Sequence, residues 1–174
     1  MILTVQGEAM TETGIDEVKK MVGNALTKLS MNDARLFEVS VNERSITHKL
    51  AEYLQQEFAD RNVDCEYNRS LDEVKRVSFP ETGVEWDDLE SKTVFPDIIV
   101  HTRGAKRNLL VIEVKKSNSR VSDSFDKIKL KAFLRDPFNY KFGLFIKFDV
   151  GPDRESPRLE WFTSSPSSSL PILS

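Results

Sequence analysis

The chain of 174 residues contains a single cysteine, Cys65, and only two histidines, His48 and His101. One cysteine excludes an internal disulfide framework and any metal cluster built from several cysteines. Two histidines give little support to a histidine-based zinc site. No stretch approaches the roughly 18 consecutive apolar residues of a membrane-spanning helix. We therefore expect neither a disulfide-stabilised secreted domain nor a zinc protein, and no membrane partner.

The first residues, MILTVQGEAM, lack the basic flank and the long hydrophobic region of a signal peptide. We therefore expect a cytoplasmic location. The hydrophobic content, 39%, is sufficient for one domain with a substantial core. We predict a single domain over residues 1–165. The remaining residues, 166–174, are rich in Ser and Pro, which predicts a disordered tail.

Charge is unevenly distributed along the chain. The net charge is −3, yet residues 103–147 contain 12 basic and four acidic residues, a net of +8 that leaves −11 for the rest. Such a segment indicates a site for a polyanion. A solvated charged face is the alternative, because most charge runs have no other role.

Three segments repeat apolar residues at the spacing of one helix face. They predict an N-terminal helix over residues 11–30, a second helix over about 42–59 and a third over 123–135. Strand-like runs occur at residues 63–69, 93–101, 108–115, 141–150 and 158–163. Residues 70–92 lack periodicity and contain Pro80 and Gly83, which indicates an insertion loop. Strands interleaved with helices predict an α/β or α+β domain.

Two of these runs carry an acid where an apolar residue would be easier to bury: Asp97 in PDIIVH and Glu113 in NLLVIEVK. A hairpin centred on Ala105 would pair Ile99 with Val111, His101 with Leu109 and Asp97 with Glu113. Opposed residues share a face, with Cβ atoms roughly 5 Å apart. Two carboxylates at that distance repel each other unless one is protonated or a cation lies between them.

Lys115 shares the face of Glu113, because side chains alternate along a strand. Carboxylate oxygens suit Mg²⁺, which takes one or two carboxylates, several waters and substrate phosphate. The alternative is a hairpin whose solvent-exposed face happens to carry Asp97, Glu113 and Lys115.

Pro96-Asp97 followed by Glu113-Val114-Lys115 resembles the signature of the PD-(D/E)XK nuclease superfamily. The resemblance covers about residues 43–148, from an upstream helix with an acid to a downstream basic helix. It implies a restriction-endonuclease-like core, a central mixed sheet flanked by helices.

The resemblance also implies a function, that of a divalent-metal-dependent nuclease, and we expect an endonuclease. Asp97 and Glu113 would hold Mg²⁺, with Mn²⁺ as a substitute, and Lys115 would position water or stabilise developing charge. The partner would be nucleic acid, with DNA favoured over RNA, and a homodimer is one assembly that the resemblance allows. Because the superfamily includes inactive members, the alternative is a nuclease-like module that binds nucleic acid or protein without catalysis.

Glu43 is the candidate for a third metal-binding carboxylate, since the resembled helix often supplies one. It lies in the middle of the apolar stripe of the second helix, so it should face the sheet. The alternative is a capping box, Ser40 to Glu43, in which Glu43 satisfies the helix start.

Basic side chains of the third helix and its surroundings are the candidates for phosphate contacts. The third helix has a predicted apolar face of Phe125, Ile128, Ala132 and Phe133. Lys129 projects between Phe125 and Phe133, and we expect it to extend to solvent. The full set of candidates is Arg69, Lys116, Arg120, Lys127, Lys129, Lys131 and Arg135.

Overall fold

The structure is a computed structural model that describes residues 13–66, 69–70, 73–74 and 95–164. Its helices are α1 (Ile15–Asn32), α2 (Arg35–Glu38), α3 (Glu43–Glu57) and α4 (Ser124–Phe133). Its strands are β1 (Asn62–Cys65), β2 (Arg69–Ser70), β3 (Glu73–Val74), β4 (Ile98–Thr102), β5 (Arg107–Lys116), β6 (Phe142–Phe148) and β7 (Arg158–Thr163). The predicted mixture of helices and strands is confirmed.

Five strands form one mixed sheet in the order β1-β4-β5-β6-β7. The pair β5 and β6 is parallel, and the other neighbours are antiparallel. Helix α4 makes the crossover between β5 and β6, as a parallel connection requires. Strands β2 and β3 form a separate two-stranded pair.

Helices cover both faces of the sheet. Helices α1 and α3 pack on one face, and α4 packs on the other. Alternate residues of β5 divide between the two cores, so that Leu110, Ile112 and Val114 lie on the α1 and α3 side and Val111 lies on the α4 side. Both faces of β5 are therefore buried, and any polar side chain on this strand is enclosed.

The predicted hairpin register is confirmed at the open end of the hairpin, where Ile98 pairs with Ile112 and Ile99 with Val111. It is wrong near the turn, because a one-residue shift between Val100 and His101 pairs His101 with Asn108 instead of Leu109. A β-bulge adds one residue to one strand, and sequence periodicity does not reveal it.

The predicted apolar face of α4 is confirmed at Phe133, which is buried, and wrong at Phe125, which is 44% exposed. Lys129 and Leu130 are buried in addition. The buried face carries a lysine because Glu113 on the sheet gives it a partner there, and apolar periodicity does not reveal such a pair.

The predicted insertion loop, residues 70–92, falls mostly outside the described residues, as does the predicted tail, 166–174. None of the described helices is long and apolar enough to cross a membrane.

Candidate active site

Asp97 lies one residue before β4, and its carboxylate is turned toward the neighbouring strand. Its Oδ2 accepts a hydrogen bond of 2.7 Å from the backbone N–H of Val114. Its own carbonyl accepts from the N–H of Glu66, at 3.2 Å. The side chain thus continues the strand pairing at the point where β4 begins, which holds the carboxylate beside Glu113.

Glu113 projects from β5 toward α4 and is only 1% exposed. Its Oε1 is buried without a hydrogen-bond partner among the described residues. Buried carboxylate oxygens are nearly always paired, so an unpaired one marks a position where a ligand is missing or strain is stored.

Lys129 provides the cation for this pair of acids. Its Nζ lies 2.5 Å from Oε2 of Glu113 and donates to the carbonyl of Phe95 at 3.2 Å. The side chain is 8% exposed, so the expectation that it extends to solvent was wrong. The reason is electrostatic: the buried carboxylate of Glu113 requires a cation or a hydrogen-bond donor beside it, and Lys129 supplies both.

Lys115 points to the same side of the sheet as Glu113, as predicted, but contacts different groups. Its Nζ donates to the carboxylate of Asp126 and, at 3.0 Å, to the carbonyl of Ser122. Sequence analysis missed Asp126 as a site residue. The sequence contained an indication of this role, because Asp126 lies three residues before Lys129 and must share its helix face.

Glu43 reaches the same strand from the opposite helical layer. Its Oε2 accepts a hydrogen bond of 3.0 Å from the backbone N–H of Lys116. The capping-box alternative was wrong, because the N-cap of α3 is Asn42, whose side chain accepts from the N–H of Ser45 at 2.9 Å. Glu43 is therefore available to β5.

Asp97 and Glu43 occupy successive positions along one edge of β5. They accept from the N–H groups of Val114 and Lys116, which lie two residues apart, or about 6.6 Å along a strand. Beyond the start of β4 these N–H groups would lack strand partners, and the two carboxylates take that place.

Burial governs the proton affinity of the acids. It raises the pKa of Asp97 to about 6, and the carboxylates of Glu43 and Asp126 act in the same direction, against the Val114 hydrogen bond and Lys129. Burial, with the charge of Asp97, holds the pKa of Glu113 well above its usual range. One lysine does not fully neutralise these two acids, of which Glu113 is buried and Asp97 half-buried.

Lys129 itself stays protonated. Burial opposes its charge, but Glu113, Asp97 and Asp126 outweigh burial and raise its pKa. The three carboxylates thus favour the protonated form of Lys129.

The side chains of the site meet part of the coordination requirement of a divalent cation. Glu113 offers an unpaired buried oxygen and Asp97 lies beside it, and Mg²⁺ commonly takes one or two carboxylates with waters and phosphate. Within the described ranges, however, no three His, Cys, Asp or Glu side chains group closely enough to hold a metal ion. Glu43 therefore lies at the border of the site and does not complete a three-carboxylate cage.

Part of the positive charge of segment 103–147 is paired in the fold. Among the described residues, five of its 12 basic residues pair with carboxylates: Arg103 with Asp64, Lys115 with Asp126, Lys127 with Glu160, Lys129 with Glu113 and Lys147 with Asp123. Only Asp64 and Glu160 lie outside the segment, so these pairs leave most of its net positive charge in place.

The predicted phosphate-binding residues differ in their exposure and in their contacts within the fold. Lys116 donates to the carbonyl of Val41 at 2.7 Å, whereas Arg120, Lys131 and Arg135 are exposed. The side chain of Arg69 lies outside what the structure describes. Exposed basic groups therefore lie on α4, just after it and on the segment before it.

Comparison with known proteins adds nothing to this geometry: no protein-family model, curated protein or solved structure matches the chain.

Proposed function

We propose that this protein is a divalent-metal-dependent nuclease that hydrolyses phosphodiester bonds in nucleic acid. The observation that carries the proposal is the pair of acids Asp97, half-buried just before β4, and Glu113, buried on β5, with Glu113 Oε1 unpaired among the described residues. A buried carboxylate oxygen without a partner is costly, and a ligand cation is one means of satisfying it.

The topology supports a restriction-endonuclease-like core as the finer description of the fold. An acid-bearing helix, α3, precedes the antiparallel strands β4 and β5, and α4 then connects β5 to the parallel strand β6. This order matches the resemblance carried by Pro96-Asp97 and Glu113-Val114-Lys115.

In the proposed reaction each residue has a separate task. Asp97 and Glu113 hold the divalent cation, Mg²⁺ or Mn²⁺, which supplies Lewis acidity toward phosphate and water. Lys115 carries three N–H donors, of which Asp126 and Ser122 fix two. The third donor is directed at a water or at the charge that develops on the phosphate.

The proposed substrate is DNA, with the exposed Arg120, Lys131 and Arg135 contacting its phosphates. We further propose a cytoplasmic location and a homodimer as the assembly that cuts both strands.

The Lys129 ion pair favours a second candidate function. Because this lysine already lies against Glu113, the acids do not depend on a metal to relieve their mutual repulsion. A catalytically inactive nuclease-like module that binds nucleic acid or protein has the same arrangement.

Cleavage assays separate the two candidates. Purified protein, incubated with single- and double-stranded DNA and RNA, should cut at least one form with Mg²⁺ or Mn²⁺ and none with EDTA. Asp97→Asn and Lys115→Met should each reduce cleavage at least a hundredfold and leave nucleic-acid affinity within about twofold. Glu52→Gln, which alters an exposed carboxylate of α3 paired with Lys49, is the matched control and should cut normally.

The nuclease proposal fails if wild-type protein binds nucleic acid but leaves every form intact with both metals. Cleavage that survives Asp97→Asn would also exclude the assigned site.

A further inference from the structure

Lys129 occupies the position of a bound cation in the acidic site. Its Nζ is 2.5 Å from Glu113 Oε2, and the nearby charge of Asp97 also stabilises its protonated form. The lysine is held by α4, which makes the crossover between β5 and β6. The site therefore contains a counter-ion of its own in the absence of metal.

We propose that Lys129 is an intramolecular competitor of the divalent cation, so that metal binding requires Lys129 to give up its contact with Glu113. The inference rests on the proposed metal site and deepens it by naming what regulates its occupancy. Lys129 is accordingly a positioning residue and not a group that acts on substrate.

Position supports displacement over joint occupancy. The Nζ of Lys129 lies 2.5 Å from Glu113 Oε2, so a divalent ion bound to the same carboxylate would lie close to the ammonium group. Two cations in such proximity repel each other, and release of Lys129 from Glu113 removes that repulsion.

The surroundings of Lys129 also allow its ammonium group a second position, away from Glu113. Its other hydrogen bond, 3.2 Å to the carbonyl of Phe95, does not involve the acids. Phe95 is 37% exposed, so the lysine lies near solvent on that side. Release from Glu113 therefore does not require the ammonium group to cross the core.

Metal titration of full-length variants tests the competition directly. Mn²⁺ binding, followed by the loss of its free electron paramagnetic resonance signal, should show at least a tenfold lower Kd for Lys129→Met than for wild type. Lys127→Met is the matched control: it removes the same charge two residues away on α4, where Lys127 pairs with Glu160. Its Kd should stay within about twofold of wild type.

A second measurement needs no substitution at Lys129. Reductive methylation of wild-type protein, with each lysine followed by mass spectrometry, should label Lys129 slowly in EDTA and at least fivefold faster with saturating Mn²⁺. Lys131, which is exposed on the same helix, should be labelled at one rate in both conditions.

The outcomes distinguish this inference from the nuclease proposal. An unchanged or weaker Mn²⁺ affinity of Lys129→Met, with unchanged labelling of Lys129 in a wild type that cleaves, overturns the competition and leaves the nuclease intact. If wild type neither binds Mn²⁺ nor cleaves, tight Mn²⁺ binding by Lys129→Met still supports the competition, whereas no Mn²⁺ binding by either protein overturns it.

Discussion

The carboxylate of Asp97 accepts a hydrogen bond of 2.7 Å from the backbone N–H of Val114. An asparagine at position 97 keeps an oxygen for this hydrogen bond and removes only the charge, whereas an alanine removes both. The pair Asp97→Asn and Asp97→Ala therefore separates the cost of the buried charge from the value of the hydrogen bond.

Asp97→Asn should stabilise the metal-free protein at neutral pH. The pKa of Asp97 is about 6 in the folded protein, against an ordinary value of 3.8, mainly because the group is buried. The folded state then binds the proton more tightly than the unfolded state, so this group's contribution to stability falls as pH rises from about 4 to about 6. Above that range the loss is on the order of 2 to 3 kcal/mol.

Urea unfolding in EDTA at pH 4 and pH 7.5 measures this effect. The difference in free energy of unfolding between Asp97→Asn and wild type should be small at pH 4 and should favour the variant at pH 7.5. A difference independent of pH would show that Asp97 does not titrate as its burial requires. Asp97→Ala should be less stable than Asp97→Asn at both pH values.

Substitution of Glu113 should have the opposite effect on stability, because it leaves Lys129 without its ion-pair partner. Glu113→Leu leaves a buried ammonium group without its closest partner, and breaking a buried pair in this manner typically costs about 3 to 5 kcal/mol. The double variant Glu113→Leu/Lys129→Met replaces both charges with apolar groups. It should recover most of the lost stability.

A double-mutant cycle by urea unfolding at pH 7.5 checks this prediction. Glu113→Leu, Lys129→Met and the double variant should give an interaction energy of at least about 2 kcal/mol. Additive effects of the two substitutions would mean that the ion pair contributes nothing in solution.

Much of this fold follows from the sequence, because its elements have clear periodicity. The α3 stripe of Ile46, Leu50 and Leu54 is buried as predicted, and the alternation of β5 places Val114 and Glu113 on opposite faces. The register centred on Ala105 holds for Ile98 to Val100 because the strands there are regular.

The contacts within the site were less predictable. A prediction from apolar periodicity assumes that charged side chains face water. It therefore directed the Lys129 side chain of α4 to solvent, whereas that side chain is buried. The identity of each ion pair depends on how α4 is rotated over the sheet, and that rotation is a tertiary property. Lys115 was assigned to the correct face, but its pairing with Asp126 required the structure.

Nucleic-acid affinity should depend on two exposed basic residues, Lys131 on α4 and Arg135 just after it. Lys131→Ala/Arg135→Ala should weaken DNA binding and reduce the slope of log affinity against log salt by about 0.9 per lost phosphate contact. Lys127→Ala should have a smaller effect, because Lys127 already pairs with Glu160.

Fluorescence anisotropy at several salt concentrations measures both quantities. Lys106→Ala/Arg107→Ala is the matched control, since it removes two exposed basic residues at the β4–β5 turn, far along the strands from Asp97. Equal weakening by the two double variants would indicate a diffuse charge effect and would exclude α4 as the binding surface.

Glu43 provides the last prediction, because its two possible roles respond differently to one substitution. If Glu43 only satisfies the N–H of Lys116, glutamine preserves that hydrogen bond and activity should stay within about twofold. As a negative charge at the border of the metal site it would strengthen cation binding without coordinating the ion, and glutamine lacks that charge. We expect the second result: Glu43→Gln should fold with wild-type stability, raise the Kd for Mn²⁺ about tenfold and slow cleavage.

Glu43→Ala measures how much the hydrogen bond between Glu43 and the Lys116 N–H contributes to stability. It leaves the Lys116 N–H without its side-chain acceptor at the end of β5, so it should cost about 1 to 3 kcal/mol in addition to the loss of metal affinity. Stability from urea unfolding and Kd from Mn²⁺ titration are measured on the same preparations. Normal metal binding by Glu43→Gln would confine Glu43 to the strand edge and leave Asp97 and Glu113 as the two carboxylates of the site.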